Sequence, residues 1–227
     1  GDHFDSGGYD LLGLICGSEG QLGIVTEATV RIIRAAEGAR PMLVGFSSVE
    51  DAGHCVAAII AAGIIPVAIE YMDKEAILIT EDFAQAGYPR DAEAMLIIEV
   101  EGCDEECEDM LARIEAIAKD YRPTSIRVSK SEAESAAIWK GRKSAFGATG
   151  RISDYICMDG TIPTGQLGTV LERIGAICAG HSLRVANVFH AGDGNLHPLI
   201  LFDINTPGEL QKAEAAGDEI LKLCVEV

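Results

Sequence analysis

Basic residues are scarce in this sequence. It has 18 lysines and arginines against 36 aspartates and glutamates, which gives a formal net charge of −18 at pH 7. A surface with this imbalance repels nucleic-acid phosphates and anionic membranes over most of its area. Long apolar runs are also lacking: none reaches the length that spans a bilayer, and no N-terminal secretory pattern is visible. We therefore expect no nucleic-acid partner and no transmembrane segment, although a local basic site could still bind a small anion.

A disulfide framework is lacking as well. The seven cysteines are odd in number and irregularly spaced, a pattern that does not predict paired bridges. Reduced thiols are typical of the cytoplasm, which is where we expect the protein. Cys103 and Cys107 would share one face of a helix, but no second pair completes a zinc site with them. We interpret both as plain thiols.

The composition changes along the chain. A hydrophobic content of 48% allows one large core or two modest ones. Residues 1–34 are rich in glycine and end in an alternating, strand-like segment at 24–33. Residues 35–41 read as a connector to the remainder. The first residue is glycine and the last ones fall within a predicted helix, so we expect the chain to be a piece of a longer protein.

Apolar periodicity predicts the secondary structure that follows the connector. Strands are predicted at 42–46, 67–72, 95–100, 126–128, 155–162, 185–190 and 196–202. Helices are predicted at 49–62, 105–120, 131–146, 167–179 and from 207 onward. This order of elements predicts an α+β domain, with a mostly antiparallel sheet and helices on one face.

A glycine-rich loop, GSEGQLG, occupies residues 17–23. Its glycines would let the backbone approach a flat or phosphorylated ligand closely. The loop lacks the Lys-Ser/Thr pair of a P-loop and precedes a predicted strand instead of opening a helix, so neither common nucleotide-binding motif applies. Spacing alone therefore favours a structural turn.

A basic island, WKGRKSAFGATGR, lies at residues 139–151 of this acidic chain. Trp139 is the only tryptophan, and Arg142 lies three residues later on the same side of the predicted helix. A helix-borne guanidinium binds carboxylates well, so Arg142 is a candidate for anion binding. The alternative is a surface arginine that lies over an aromatic ring.

Two histidines flank a tight turn in the stretch VFHAGDGNLHPLI, residues 188–200. Gly-Asp-Gly-Asn reverses the chain, so the flanking strands form a hairpin from which His190 and His197 can converge. Such a pair can bind a metal, which usually takes three protein ligands in a catalytic site. Asp193 could be the third ligand, or it could cap its own turn.

Three stretches resemble the FAD-linked oxidases of the vanillyl-alcohol-oxidase superfamily. They are GGYDLLGLICGSEGQLGIVTEATVRI, WKGRKSAFGATGRISDYICMDGTIP and FHAGDGNLHPLILFD, and they occur in the family's order. The resemblance is to the branch that contains glycolate oxidase and the D-lactate and D-2-hydroxyglutarate dehydrogenases. It implies that residues 1–34 are the C-terminal tail of an FAD-binding domain. Residues 35–227 would then be the substrate or cap domain, ferredoxin-like and truncated at its C-terminus.

The resemblance also implies roles for particular residues. Arg142 would hold the substrate carboxylate, and Asn195 would lie beside flavin and substrate. His190 and His197 would bind a divalent metal, zinc or a similar ion. The residues that would lie against FAD, largely through backbone atoms, are Gly17, Ser18, Glu19, Gly20, Gly23, Ile24 and Val25.

The activity that the resemblance implies is oxidation of a D-2-hydroxy acid to the 2-oxo acid, with hydride transfer to flavin. The acid would be of the glycolate, D-lactate or D-2-hydroxyglutarate type, and electron-accepting partner subunits are expected. Gln21 replaces the family's usual threonine, and Thr164 stands where relatives often have a basic residue. The third metal ligand and the catalytic base would lie beyond Val227, so we expect the isolated chain to be inactive.

Two alternatives come from other classes of protein. One is a non-catalytic module that binds a small carboxylate. The other is a flavin-independent metal hydrolase built on His190, Asp193 and His197. Neither alternative accounts for the GSEGQLGIVTE segment.

Overall fold

The computed structural model describes residues 8–227 and divides into two compact units, of which the second is Ala36–Val227. The first unit contains one short helix, α1 (Leu11–Ile15), and is otherwise irregular. The prediction of a strand at 24–33 is wrong, because these residues form no strand. Their apolar side chains are exposed, as shown by Ile32, which is 87% exposed. A strand exists only where its backbone pairs with a neighbour, and no described residue pairs with this segment.

The second unit contains nine strands and six further helices. The strands are β1 (Gly38–Phe46), β2 (Ala68–Asp73), β3 (Ala94–Gly102), β4 (Pro123–Val128), β5 (Asp154–Cys157), β6 (Gly160–Thr161), β7 (Arg184–His190), β8 (Asn195–Leu196) and β9 (Pro198–Phe202). The helices are α2 (Val49–Ala61), α3 (Lys74–Ala84), α4 (Asp104–Lys119), α5 (Glu132–Ile152), α6 (Leu167–Gly180) and α7 (Glu209–Glu226). Among residues 8–227, every helix is too short or too polar to cross a membrane.

The strands form a sheet in the order β4-β1-β3-β2-β7-β8-β6, and β9 extends it by pairing with β7 and β5. Every described strand pair is antiparallel. The prediction of an α+β fold with a mostly antiparallel sheet is therefore confirmed.

Helices cover both faces of this sheet, which corrects the expectation that they lie on one face. Leu96 and Ile98 of β3 pack on the side of α2, α4, α6 and α7. Met95 and Ile97, the alternate residues of the same strand, pack on the side of α3 and α5. Because successive side chains of a strand point to opposite faces, an unbroken apolar run needs cover on both.

Helix α3 has no counterpart among the predicted helices. It begins where Asp73 accepts a hydrogen bond from the backbone of Ala76, which is a standard helix N-cap. Helix α5 also runs six residues beyond its predicted end, to Ile152. The other predicted helices agree with α2, α4, α6 and α7 to within a few residues.

Candidate active site

The hairpin of β7 with β8 and β9 places the two histidines on one face of the sheet. The strands keep a single register with His190 opposite Asn195, so Val188 lies opposite His197. Val188 and His190 are two residues apart on one strand and therefore share a face. The two imidazole centroids are 5.7 Å apart at an interplanar angle of 86°. The predicted hairpin is confirmed, and its histidines do converge.

Gly194 makes the turn between the histidines possible. Its φ is +71°, and a Cβ added there would lie 2.1 Å from the carbonyl oxygen of Ile162. Both conditions require glycine. Thr164 begins the 3-10 turn that comes shortly after Ile162, and it lies close to Gly194. It does not line the cavity into which both histidines point.

Asp193 does not join the two histidines. It lines a small cavity with His190 that does not include His197. In the part of the chain that the structure describes, no group of three or more His, Cys, Asp or Glu side chains is arranged to hold a metal. The three-residue centre that a hydrolase would need is therefore not formed by His190, Asp193 and His197.

A buried carboxylate, Glu70 on β2, lies beside His190. The two residues are cross-strand partners, and Glu70 Oε1 is 2.9 Å from His190 Nδ1. The other oxygen, Oε2, accepts from Arg142 Nε at 3.0 Å and from Arg142 Nη2 at 2.8 Å. Sequence reasoning missed Glu70, although a lone acidic residue within the apolar strand VAIEYM was a usable signal.

Arg142 is 8% exposed, so the alternative of a surface arginine lying over a ring is wrong. Helix α5 presents Trp139 and Phe146 on the same side as Arg142, and all three line the cavity. The indole Nε1 of Trp139 donates to Glu99 Oε1 over 2.6 Å. Trp139 and Arg142 therefore lie on the same side of the helix as predicted, and each side chain is hydrogen-bonded to a different glutamate.

Arg142, His190 and His197 line one cavity of about 590 Å³, together with Lys143 and Phe146. Phe146 meets His197 edge-on, with ring centroids 6.5 Å apart. Two cationic side chains, two imidazoles and the carboxylates of Glu70 and Asp159 thus surround a space with an aromatic wall. The guanidinium of Arg142 and the ammonium of Lys143 allow such a cavity to accept a small anion.

Asp159 lies at the rim of this cavity, where it contacts residues of the turn. Its Oδ1 accepts from Asn195 Nδ2 at 2.8 Å and lies 3.8 Å from His197 Nδ1. Asn195 itself does not line the cavity. Cys157 does line it, and the pKa of its thiol is raised above the ordinary value by partial burial and by the charge of Asp159.

The glycine-rich loop belongs to the first unit. Gly17 and Gly20 have positive φ, as does Glu19 between them. The backbone N–H of Gln21 donates to the carbonyl of Ser18 over 2.9 Å, which closes a turn. The predicted flavin-binding residues therefore form a compact turn within their own unit, followed by the exposed side chains of Ile24 and Val25.

This fold and this sequence belong to the FAD-linked oxidases. Residues 36–227 match the family described as "FAD linked oxidases, C-terminal domain". The chain is 52% identical to glycolate oxidase subunit GlcD of Escherichia coli strain K12 over 227 residues, which are 100% of this chain and 46% of that protein. It is 37% identical to the subunit of the same name from Bacillus subtilis strain 168, covering 98% of this chain and 48% of that one.

A D-lactate dehydrogenase from Anaerostipes hadrus is 29% identical over 92% of this chain and 46% of its own length. The chain thus spans just under half the length of these curated relatives. Among solved structures, an alkyldihydroxyacetonephosphate synthase superposes with a TM-score of 0.68 at 14% identity, over 96% of this chain and 45% of its own. Substrate-bound p-cresol methylhydroxylase gives 0.60 at 13% identity, over 82% and 43%. At such identities these structures establish the fold alone.

Proposed function

We propose that this chain supplies the substrate domain of an FAD-dependent oxidoreductase that converts a D-2-hydroxy acid to the 2-oxo acid. Membership of the FAD-linked oxidases supports the redox class. The observation that carries the proposal is the meeting of Arg142, His190 and His197 in one cavity, where a carboxylate and a neighbouring hydroxyl group can be bound together. Glycolate, D-lactate and D-2-hydroxyglutarate are the candidate substrates, since GlcD and D-lactate dehydrogenase are among the relatives.

Arg142 binds the substrate carboxylate in this proposal. Its Nε and Nη2 are engaged by Glu70, so the Nη1 end of the guanidinium remains for the ligand. An arginine held on one edge by a buried carboxylate keeps its fork in a fixed orientation and binds the ligand with little further loss of rotamer entropy. Trp139 and Phe146 form a wall that keeps water away from the bound acid.

His190 and His197 fit the metal that the family resemblance implies. Two imidazoles on one tetrahedral ion hold their ring centroids roughly 5 Å apart, given Zn–N distances of about 2.0–2.1 Å; the observed separation is 5.7 Å. Glu70 engages Nδ1 of His190, which leaves Nε2 available as a ligand. A divalent ion here supplies positive charge that lowers the pKa of the substrate hydroxyl.

The loop at Gly17, Gly20 and Gly23 fits a flat cofactor. A Cβ added at any of the three would have no heavy atom within 4 Å, so the backbone has room for close approach by a ring system. We assign FAD to Ser18, Glu19, Ile24, Val25 and these glycines, where it supplies the hydride acceptor. Asn195, held by Asp159 at the rim of the cavity, is assigned the place near substrate and flavin that the family resemblance implies.

Two further assignments belong to this proposal. All seven cysteines are free thiols, which supports a reducing compartment, the cytoplasm. Partner subunits would accept the electrons, a role that the word "subunit" in the names of the GlcD relatives supports.

The test is the visible spectrum of the full-length enzyme before and after addition of each candidate acid under anaerobic conditions. We expect flavin bands that bleach with one of the three acids. Arg142→Met should raise the KM for that acid by at least tenfold, whereas Lys140→Met, an exposed change on the same helix, should not. Flavin bands that no acid bleaches would contradict the proposal. A non-catalytic module would instead bind a carboxylate without any bleaching.

A second test addresses the metal. His197→Ala in the full-length enzyme should abolish metal binding and most turnover. His181→Ala is the matched control, because that histidine is paired with Glu219 and lies outside the cavity. Unchanged metal content in His197→Ala would refute the assignment of the histidine pair.

A further inference from the structure

Glu70 lies on the face of the sheet that packs under α3 and α5. It is 5% exposed, and its neighbours on that face, Met72 and Ile97, belong to the core under α3 and α5. A carboxylate buried in such a place is strongly destabilising unless partners satisfy it. The structure supplies those partners, Arg142 and His190, and both belong to the proposed active site.

The two oxygens of Glu70 divide between these partners. Both N–H groups from Arg142 reach Oε2, and His190 Nδ1 reaches Oε1. A carboxylate paired with a guanidinium offers acceptors only, so the imidazole must donate from Nδ1. The neutral form of His190 is then held in the Nδ1–H tautomer, with the lone pair of Nε2 free. Unrestrained histidine side chains have no such constraint on which nitrogen carries the proton.

We propose that Glu70 is a positioning residue for the site. It holds His190 in the tautomer that ligates a metal through Nε2, and it holds Arg142 with its Nη1 end free for a substrate carboxylate. One buried carboxylate therefore sets the spacing between the metal ligand and the anion-binding arginine. The metal and substrate named here rest on the proposed function, whereas the tautomer of His190 does not.

His197 provides an internal contrast. Its Nδ1 lies 3.8 Å from Asp159 Oδ1, beyond hydrogen-bond distance, and Asp159 is 73% exposed. Orientation by a buried carboxylate is thus a property of His190 and not of His197. Loss of the carboxylate should affect the two histidines unequally, which makes Asp159→Asn the matched control for Glu70→Gln.

The first measurement is the tautomer of His190, read from the imidazole ¹⁵N chemical shifts of the 227-residue chain without metal. We expect the Nδ1–H form in the wild type and a shift toward Nε2–H in Glu70→Gln, since one amide oxygen cannot serve both partners. Asp159→Asn should leave the His190 tautomer as in the wild type. A wild-type Nε2–H tautomer, or a tautomer that Glu70→Gln leaves unchanged, would overturn the proposal.

The second measurement is Zn²⁺ affinity of the full-length enzyme by chelator competition. Glu70→Gln should weaken binding by roughly 10- to 100-fold, the usual effect of removing such a partner, and Asp159→Asn by less than threefold. Equal losses in the two variants would contradict a specific role for Glu70. If the wild type binds no Zn²⁺, the metal part of the proposed function fails, and the tautomer measurement still decides the role of Glu70.

A folding defect in Glu70→Gln is handled by a second variant. Glu70→Leu combined with Arg142→Met removes both charges of the buried pair together with the acceptor for His190 Nδ1, and it is better tolerated than leaving one charge alone. The His190 tautomer is then measured in this double variant, with the wild type as its reference. Retention of the pure Nδ1–H form in the double variant would overturn the proposal.

Discussion

The indole Nε1 of Trp139 donates a 2.6 Å hydrogen bond to Glu99, so helix α5 is tied to strand β3. Three residues along the same helix, Arg142 is tied to Glu70 on strand β2. The two carboxylates are neighbours on one face, because Glu99 lies opposite Ala68, two residues from Glu70. Two polar contacts therefore set the position of the helix that forms one wall of the cavity.

The Trp139–Glu99 contact should contribute measurably to stability. Trp139→Phe keeps the aromatic wall but leaves the half-buried Glu99 without its donor, which should lower the free energy of unfolding by about 1–3 kcal/mol. Glu99→Gln keeps an acceptor oxygen and should cost less. Urea unfolding of the chain followed by circular dichroism measures both. Equal stability of Trp139→Phe and wild type would show that the hydrogen bond contributes nothing.

Close packing of α5 should make Gly141 intolerant of a side chain. A Cβ there would lie 2.4 Å from Tyr88 Oη and 2.7 Å from Ala86 Cβ, so Gly141→Ala should cost about 1–3 kcal/mol through overpacking. Gly147 lies in the same helix with nothing within 4 Å of its added Cβ. Gly147→Ala should instead gain up to about 1 kcal/mol from helix propensity. Thermal melting distinguishes the two, and a stabilised Gly141→Ala would contradict the packing described here.

The turn between the histidines should respond to Gly194→Ala more than strain alone predicts. Gly194 and Gly208 both have positive φ, +71° and +88°, so alanine at either position costs about 1–2 kcal/mol of backbone strain. Only at Gly194 does the new Cβ meet a backbone oxygen, that of Ile162. We expect Gly194→Ala to lower the free energy of unfolding further than Gly208→Ala and to weaken Zn²⁺ binding in the full-length enzyme. Equal effects on stability would disprove the steric argument.

Asp73 should impose a pH dependence on stability. Burial raises its pKa from 3.8 to about 6, against opposing hydrogen bonds from Ala76 and Asn187. The folded chain therefore binds more protons than the unfolded chain between these two values, and the free energy of unfolding falls as pH rises through about 6. We expect this contribution to reach about 2 kcal/mol, allowing for partial exposure.

The measurement is urea unfolding at pH values from about 4 to 7. Asp73→Asn should remove this fall in stability, whatever its effect at a single pH. Asp91→Asn changes an exposed carboxyl and should retain the wild-type slope. A slope that survives in Asp73→Asn would assign the pH dependence to another group.

Features that depend on neighbours in the chain were predictable. The hairpin around His190 and His197 followed from turn-forming residues between two apolar segments, and the structure confirms it. Helices α2, α4, α6 and α7 followed from apolar periodicity and capping signals. Helix α3 was missed even though its Asp73 cap is also a local signal. The strand predicted at 24–33 is absent because alternation of apolar residues, which is a local pattern, cannot supply a pairing partner.

By itself the sequence determined most of the helices and strands, the tight turn at Gly194 and the candidate roles of Arg142, His190 and His197, because these depend on residue types at short spacing. Only the tertiary structure decided that helices cover both faces and that Glu70 joins the site. Glu70 is 120 residues from His190 and 72 from Arg142 in the chain. Pairing of β2 with β7 and docking of α5 bring them together, and no local pattern encodes which distant partner a buried carboxylate meets.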